Sequence, residues 1–132
     1  MIYRDEVSIA FLDSRPVFLG HTLLVPISHL ETLHDIPLDI IAPLFTNVKL
    51  LSIAVQRSLR ADGTLIAINN RISQSVPHMH VHIIPRRAKD GLKGFFWPRR
   101  KYTDDGEAIG MQNTIKKELE SVRKQLLQTT GF

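Results

Sequence analysis

The 132-residue sequence contains no cysteine. Disulfide bonds and thiolate zinc sites are therefore excluded, although this absence says nothing further about the compartment. No apolar run approaches the ~18 residues that a membrane-spanning helix needs. The first residues, MIYRDEVSIAF, carry charge at once and lack the apolar core of a signal peptide. We therefore expect a cytoplasmic protein that does not associate with a membrane.

The chain also lacks internal repeats, low-complexity tracts and any recognised nucleic-acid motif, so we do not expect nucleic acid as a partner. Hydrophobic residues make up 43% of the sequence and charged residues 23%, which is typical of a chain that buries a core. The length suits one domain over residues 1–132. The net charge of +4 mildly favours anionic partners such as phosphates.

Hydrophobic patterning predicts strands at 7–13, 21–27, 64–69 and 78–85, and helices at 38–60 and 107–127. Each helix carries an apolar stripe with steps of three or four residues. The stripes are Ile40, Leu44, Val48, Leu51, Val55 and Leu59 in the first helix, and Ile115, Leu119, Val122 and Leu126 in the second. We expect Gly63 to be the left-handed residue after the first helix, and Pro85 to end the fourth strand. This order predicts an α+β fold, an antiparallel sheet with a long central helix and a C-terminal helix.

The stretch PHMHVHIIPRR places His78, His80 and His82 at alternate positions. In a strand these three side chains share one face, while the apolar residues between them share the other and can pack on a helix. Two functional interpretations follow. Three imidazoles can hold a catalytic zinc ion with water in the fourth position. Alternatively, a neutral imidazole can attack phosphorus directly, with its neighbours orienting it and protonating the leaving group.

The flanking residues favour the nucleophile. Gln74 and Ser75 place an amide and a hydroxyl close to the histidines, and these groups can donate to phosphate oxygens and to a leaving group. A zinc site would more naturally have carboxylate partners behind its ligands. The sequence between Arg71 and Arg87 contains no carboxylate.

These motifs resemble the histidine triad (HIT) family. QSVPHMHVHII is similar to the family signature, H-x-H-x-H-x-x with apolar residues at x. Upstream, FLDSRPVFLGHTLLVPISH resembles the strand–loop–strand of the family, and FWPRRKY with the last helix resembles the tail of some bacterial members. The resemblance covers nearly the whole chain, and the triad with its Gln-Ser-Val prefix is its specific part.

The resemblance implies a homodimeric nucleotide hydrolase in which His80 attacks the α-phosphorus and forms a nucleotidyl-histidine intermediate. Water would then release the nucleoside monophosphate. Ile84 stands where the transferase and phosphorylase branches often have glutamine, which favours a hydrolase. The implied substrate is a nucleoside phosphoramidate, an aminoacyl adenylate or a dinucleoside polyphosphate, with adenine or another purine as base. No metal cofactor is required, although magnesium could accompany a polyphosphate.

The family pattern also assigns catalytic roles to neighbouring residues. His78 and His82 would flank and polarise the phosphate, and Ser75 would bond the leaving group. His21 matches an upstream histidine that orients the triad, although its position also suits a core histidine. His29 and His34 lie outside the motif, and we expect both to be solvated.

For substrate binding, the pattern implies that Gln74 bonds a phosphate oxygen and that Asn69 or Asn70 faces the phosphate. Asp13 would accept from the ribose hydroxyls, and Phe11 would pack against the base. From the residue types alone, Asp13 could instead initiate a turn, and Phe11 could belong to the core.

The segment 86–102 is basic and aromatic, and it is either an electrostatic funnel for a polyphosphate or a loop that pads a dimer interface. Two rival functions stay open. The chain could be a zinc-dependent hydrolase that uses the three histidines as ligands. It could also be a nucleotide-binding module without turnover.

Overall fold

The computed structural model describes residues 1–92 and 99–130, with the side chains of the last helix described as far as residue 127. The chain divides into two compact units, Met1–Gly91 and Leu92–Phe132. The first unit contains a sheet and one long helix, and the second contains one helix. The expectation of a single domain over residues 1–132 stays a prediction.

The sheet has five antiparallel strands in the order β1-β2-β3-β5-β4. The strands are β1 (Tyr3–Arg4), β2 (Ser8–Leu12), β3 (Thr22–Pro26), β4 (Gly63–Ala67) and β5 (Val81–Arg86). The helices are α1 (Leu38–Leu59) and α2 (Asp105–Thr130), and a short 3₁₀-helix covers Leu33–Asp35. The predicted α+β fold and the order of its six elements are confirmed. The two-residue strand β1 and the 3₁₀-helix were not predicted.

The register of the sheet separates a core face from an open face. Ala10 pairs with Leu24, and Leu24 pairs with Val81; all three are fully buried in the core with the stripe of α1. Their neighbours Phe11, Leu23 and His82 pair in the same way, one residue along each strand. Because alternate residues point to opposite faces, this second row lies on the face away from the core.

The stripe of α1 packs as predicted. Leu44, Val48, Leu51 and Val55 are buried, and Ile40 and Leu59 pack partly buried against the same core. α1 is also long and apolar enough to cross a membrane, by length and composition. One such helix is weak evidence for a membrane span, because the core helix of a soluble protein can have the same length and composition. The absence of membrane association stays a prediction.

The end of α1 differs from the prediction. The left-handed residue is Arg60, with φ 51° and ψ 42°, while Gly63 opens β4. The Arg60 N–H donates to the carbonyls of Gln56 and Arg57, and the guanidinium of Arg87 donates to the carbonyls of Leu59 and Arg60. These bonds satisfy the last carbonyls of the helix and hold a residue with a side chain in a conformation that glycine adopts more easily.

The fourth predicted strand also has different bounds, because Pro85 lies inside β5 and pairs with Thr64 of β4. β3 pairs with β5 only at Val81, His82 and Ile83. Beyond these residues β5 has one open side, where a missing N–H removes no ladder hydrogen bond.

In the second unit, α2 begins with a cap built from its own first residues. The Glu107 N–H donates to Asp104 Oδ1 at 2.8 Å, and the Thr103 N–H donates to Glu107 Oε1 at 3.0 Å. Asp104 is therefore the N-cap residue of α2. The apolar stripe of α2 is solvent-exposed, with side chains 43–61% exposed.

Candidate active site

A cleft of about 670 Å³ lies on the open face of the sheet. Its apolar wall comes from Phe11, Leu23 and Val25 of β2 and β3. The other lining residues are the three histidines of the triad, Asp13, Ser14, Arg15, Ser75 and Val76. This volume lies in the range of ligand-binding pockets in proteins. The structure therefore brings six of the predicted site residues into one cleft: Phe11, Asp13, Ser75, His78, His80 and His82.

The sequence predicted that all three histidines lie in one strand, but only one of them does. β5 begins at Val81, so His82 belongs to it while His78 and His80 precede it. All three nevertheless line the cleft, and Met79 between them is fully buried, as expected. The residues before β5 are held by other bonds, among them that from the Met79 N–H to the Leu30 carbonyl at 2.6 Å.

The tautomer of the His80 ring is set by one hydrogen-bond partner. Its Nδ1 lies 2.8 Å from the backbone carbonyl oxygen of His78. A carbonyl oxygen can only accept, so Nδ1 must donate and therefore carries a proton. In the neutral ring the lone pair then belongs to Nε2. This assignment follows from the hydrogen-bond partners, and it leaves Nε2 as the nitrogen of the neutral His80 ring that has a lone pair.

The tautomer of His82 is set in the same way, through its bond to His21. The Val17 N–H donates to His21 Nδ1 at 3.1 Å, so the proton of neutral His21 lies on Nε2. That Nε2 lies 2.9 Å from His82 Nδ1 and donates to it. His82 must then carry its own proton on Nε2, as a donor. His21 is buried, as a core histidine would be, and it is also bonded to the triad; its role in orienting the triad stays a prediction.

The electrostatics keep this pair neutral. Burial lowers the pKa of His21, and the carboxylate of Asp13, with Oδ2 3.6 Å from His21 Nε2, opposes that shift. Burial also lowers the pKa of His82, helped by the nearby imidazoles of His80 and His21 and again opposed by Asp13. Both rings are therefore mainly neutral at pH 7, as the donor chain requires.

His78 has both ring nitrogens engaged by the protein. Nε2 lies 2.9 Å from the carbonyl oxygen of Pro26, and Nδ1 lies 3.1 Å from Nδ1 of His29. Contact between the His78 ring and a phosphate therefore needs one of these bonds to open, and that role stays a prediction. His29 was expected to be solvated; it is exposed, but it is bonded to the triad.

The missing signal for His29 was the register of the sheet. β3 and β5 pair as Thr22↔Ile83 and Leu24↔Val81. Continued past the ladder, this antiparallel register brings the residues after Pro26 beside those before Val81. A pairing hypothesis at the sequence level would have placed His29 near His78.

The amide side chains of Gln74 and Asn70 bond backbone groups outside the cleft. Gln74 accepts from the Arg71 N–H at 2.8 Å and donates to the Glu31 carbonyl at 2.5 Å. Asn70 accepts from the Leu33 N–H at 3.0 Å. These bonds tie the loop before the triad to the 3₁₀-helix region. Neither residue lines the cleft, nor does Asn69, so their phosphate roles stay predictions.

Asp13 and Phe11 were open between functional and structural roles. Asp13 Oδ1 accepts from the Arg15 N–H at 2.9 Å, so the carboxylate does shape a turn, while Oδ2 lies near His21. Phe11 is half-buried on the open face and lines the cleft instead of entering the core.

The basic segment is used partly for structure. Arg86 forms an ion pair with Asp90 at 2.6 Å, and Arg87 caps α1, so neither side chain extends freely as a funnel residue would. Arg99, Arg100 and Lys101 are exposed in the second unit. Lys93 and the aromatic residues 95–97 lie outside the described residues.

One group in the described part of the chain has the spacing of metal ligands. Ligand atoms of Asp13, His21 and His82 all lie within 4.8 Å of one another. One carboxylate and two imidazoles suit zinc or a similar transition metal. This set differs from the three alternate histidines that the zinc alternative assumed.

A model of the HIT domain matches residues 1–89 of the chain. The uncharacterized HIT-like protein of Saccharolobus solfataricus is 39% identical over 104 residues, covering 76% of this chain and 75% of that protein. The adenosine 5'-monophosphoramidase of Candida albicans is 31% identical over 124 residues, covering 89% of this chain and 81% of that protein. The asymmetrical bis(5'-nucleosyl)-tetraphosphatase of Schizosaccharomyces pombe is 34% identical over 92 residues, covering 68% of this chain and 50% of that protein.

The fold is similar to that of solved structures as well. The crystal structure of a Streptococcus mutans protein superposes with a TM-score of 0.80 at 32% identity, covering 89% of this chain and 75% of that chain. The sequence match and the structural match therefore point to the same fold.

Proposed function

The chain belongs to the HIT domain family, and from this premise we propose that it is a nucleotide hydrolase that cleaves at the α-phosphate through a nucleotidyl-histidine intermediate on His80. The product is a nucleoside monophosphate. The observation that carries the proposal is the 2.8 Å bond from His80 Nδ1 to the His78 carbonyl. With Nδ1 donating, the neutral form of the ring has its lone pair on Nε2, in a cleft large enough for a nucleotide.

In the first step, the Nε2 lone pair of His80 forms a bond to the α-phosphorus as the bond to the leaving group breaks. The leaving group departs with that electron pair and takes up a proton relayed from solvent through the Ser75 hydroxyl. In the second step, a water oxygen attacks phosphorus and the P–N bond breaks. Its electron pair returns to Nε2, and the proton lost by water goes to solvent.

His82 supports both steps as a donor. Its Nε2–H can bond a non-bridging phosphate oxygen, because His21 holds the opposite nitrogen, Nδ1, as an acceptor. A donor fixed before the reaction stabilises the charge that develops on phosphate oxygens without further reorganisation. His21 acts through His82 and is therefore a positioning residue.

The walls of the cleft suit a nucleoside. Phe11, Leu23 and Val25 offer an apolar surface to a base, and a purine offers the larger stacking area. Asp13 Oδ2 can accept from a ribose hydroxyl while Oδ1 stays in its turn. Neither contact requires a metal, although magnesium could accompany a polyphosphate.

Among substrates, we place a nucleoside phosphoramidate first and a dinucleoside polyphosphate second. The chain covers 81% of the Candida albicans phosphoramidase but only half of the Schizosaccharomyces pombe tetraphosphatase. We expect the protein to act as a homodimer in the cytoplasm.

The test is a panel of an adenosine phosphoramidate, diadenosine tri- and tetraphosphate and AMP, incubated with the unmutated protein, with His80→Ala and with His34→Ala. His34 is the matched control, because its imidazole is exposed. A chelator is present in one arm. Release of AMP from the phosphoramidate or a dinucleotide by the unmutated protein and the control, but not by His80→Ala, supports the proposal.

Two other outcomes would favour the rivals. Loss of turnover with the chelator would support a metal-dependent hydrolase built on Asp13, His21 and His82. Nucleotide binding that survives His80→Ala, without hydrolysis in the unmutated protein, would support a binding module.

A further inference from the structure

We infer that His29 is a positioning residue for the nucleophile: it fixes the ring of His78, and the backbone carbonyl of His78 then orients His80. This inference rests on the proposed function, in which His80 attacks phosphorus. His29 is exposed and lies outside the triad motif, yet its Nδ1 lies 3.1 Å from Nδ1 of His78, with the rings in an edge-on arrangement.

The residues that lead into β5 are held by bonds from another segment of the chain. Residues 78–80 precede the strand and have no ladder partner. They are held by the segment 26–30 that follows β3. The Met79 N–H donates to the Leu30 carbonyl, His78 Nε2 bonds the Pro26 carbonyl, and His29 bonds His78 Nδ1. Two of these three bonds end on the His78 ring.

The Pro26 carbonyl sets the direction of the two bonds to the His78 ring. The Pro26 carbonyl can only accept, so His78 Nε2 carries a proton and Nδ1 of the neutral ring is an acceptor. His29 Nδ1 must then be the donor. Without that donor, His78 Nδ1 would face solvent, and the ring could take the other tautomer. A lone pair on Nε2 would then point at the lone pairs of the Pro26 carbonyl, and that bond would be lost.

His78 is connected to the proposed reaction through its backbone carbonyl. The carbonyl oxygen of His78 accepts from His80 Nδ1 at 2.8 Å and so keeps the His80 lone pair on Nε2. Loosening the His78 ring also loosens its backbone, which no ladder supports. The fraction of His80 rings with the productive tautomer and orientation then falls. Such a loss lowers kcat and leaves substrate binding largely unchanged.

The experiment compares His29→Ala with His29→Asn, whose amide N–H can donate from nearly the same place, and with His34→Ala as the exposed-histidine control. Steady-state kinetics measure kcat and KM. Long-range ¹H–¹⁵N spectra of the free proteins report the tautomers of His78 and His80 directly. We expect His29→Ala to lower kcat about three- to tenfold at a similar KM, with mixed tautomers at both rings. His29→Asn should recover most of the kcat and most of the original tautomer populations. His34→Ala should change neither the kcat nor the tautomers.

Unchanged His78 and His80 tautomers in His29→Ala would overturn the inference, and so would a kcat equal to that of the unmutated protein. The spectra need no substrate, so they decide the positioning role even if the protein hydrolyses nothing on the panel. In that case mixed tautomers would retain the His29–His78–His80 connection, and the proposed function alone would fail.

Discussion

The chemistry of single residues in this cleft depends on which ring nitrogens carry protons. Groups that can bond in one direction only set the pattern: the Val17 N–H for His21, and the carbonyls of Pro26 and His78 for His78 and His80. Each ring therefore has a defined tautomer before any substrate arrives. In the proposed mechanism, this preorganisation gives His80 the role of nucleophile and His82 that of donor.

The donor chain through His21 gives a prediction at this scale. His21→Leu removes the donor to His82 Nδ1, whereas His21→Gln keeps an N–H near the same place. We expect kcat to fall about three- to tenfold in His21→Leu and less in His21→Gln, because His82 loses its fixed Nε2–H. Steady-state kinetics on the preferred substrate measure both, with circular dichroism to verify folding. Equal rates for the two variants would show that the donor is not what His21 supplies.

How much of the site the sequence predicts differs from residue to residue. The alternate spacing of His78, His80 and His82 predicted that their side chains share one side of the chain, and all three line one cleft although only His82 lies in a strand. The role of His29 could not be predicted from spacing, because it depends on the register of β3 against β5, some fifty residues apart in sequence. Gln74 looked available in the sequence, but backbone groups of Arg71 and Glu31 occupy its amide.

At the scale of elements, the turn between β1 and β2 is tied to α1 by a polar network. Asp5 accepts from the N–H groups of Val7 and Ser8 and from the amide of Asn47 at 2.8 Å. Asn47 is buried and also donates to the Ser8 hydroxyl. These hydrogen bonds, that of Asn47 first, lower the pKa of Asp5 from 3.8 to about 2.

This network predicts an acid-sensitive share of stability. The folded state favours the charged carboxylate, so its contribution is complete above pH 3.8 and is lost as the pH falls toward 2. We expect Asp5→Asn to be less stable than the unmutated protein at pH 5, and to lose less further stability between pH 5 and pH 2. Urea unfolding at the two pH values measures this difference.

Asn47→Ala is the partner variant for that experiment. It removes the bond that lowers the Asp5 pKa most and leaves the buried Ser8 hydroxyl without its donor, which costs about 1–3 kcal/mol of unfolding free energy at pH 5. Asn47→Ala should also lose less unfolding free energy than the unmutated protein between pH 5 and pH 2. The same loss between pH 5 and pH 2 in all three proteins would show that Asp5 does not supply it.

The strands and helices themselves were largely predictable. The stripe of α1 and the paired apolar rows of the sheet are local patterns of period 3.6 and 2, and they appear in the fold almost unchanged. The ends were not predictable, because tertiary bonds decide them. Arg87, distant in sequence, helps Arg60 to end α1, and the short reach of β3 lets β5 continue through Pro85.

For the whole molecule, the excess of positive charge predicts a preference among ligands. Arg99 and Arg100 are exposed, and a ligand with more phosphates gains more from their field. We expect Arg99→Gln with Arg100→Gln to weaken the binding of diadenosine tetraphosphate more than that of AMP, measured by calorimetry at low salt. Lys116→Gln with Lys117→Gln removes the same charge from exposed positions on α2 and serves as the control. Equal losses for the two ligands, or equal effects of the two pairs of substitutions, would contradict a specific contribution of Arg99 and Arg100.

Assembly gives the second prediction at this scale. β4 is an edge strand of the sheet, and large apolar side chains such as Leu50, Ile53 and Ile66 are exposed. An exposed strand edge beside apolar side chains favours association, and a symmetric dimer is the commonest form. We expect light scattering on a gel-filtration column to give twice the chain mass at micromolar concentration. A chain mass at that concentration would contradict the homodimer.

In the proposed mechanism His80 forms a covalent bond to the α-phosphorus, and this bond can be trapped. The protein is mixed with an adenosine phosphoramidate, quenched at alkaline pH where a phosphohistidine bond survives, and examined by intact mass and peptide mapping. We expect an adenylyl adduct on the peptide that contains His80, located to that residue and absent from His80→Ala. Turnover without any adduct in the unmutated protein, or an adduct on another residue, would contradict it.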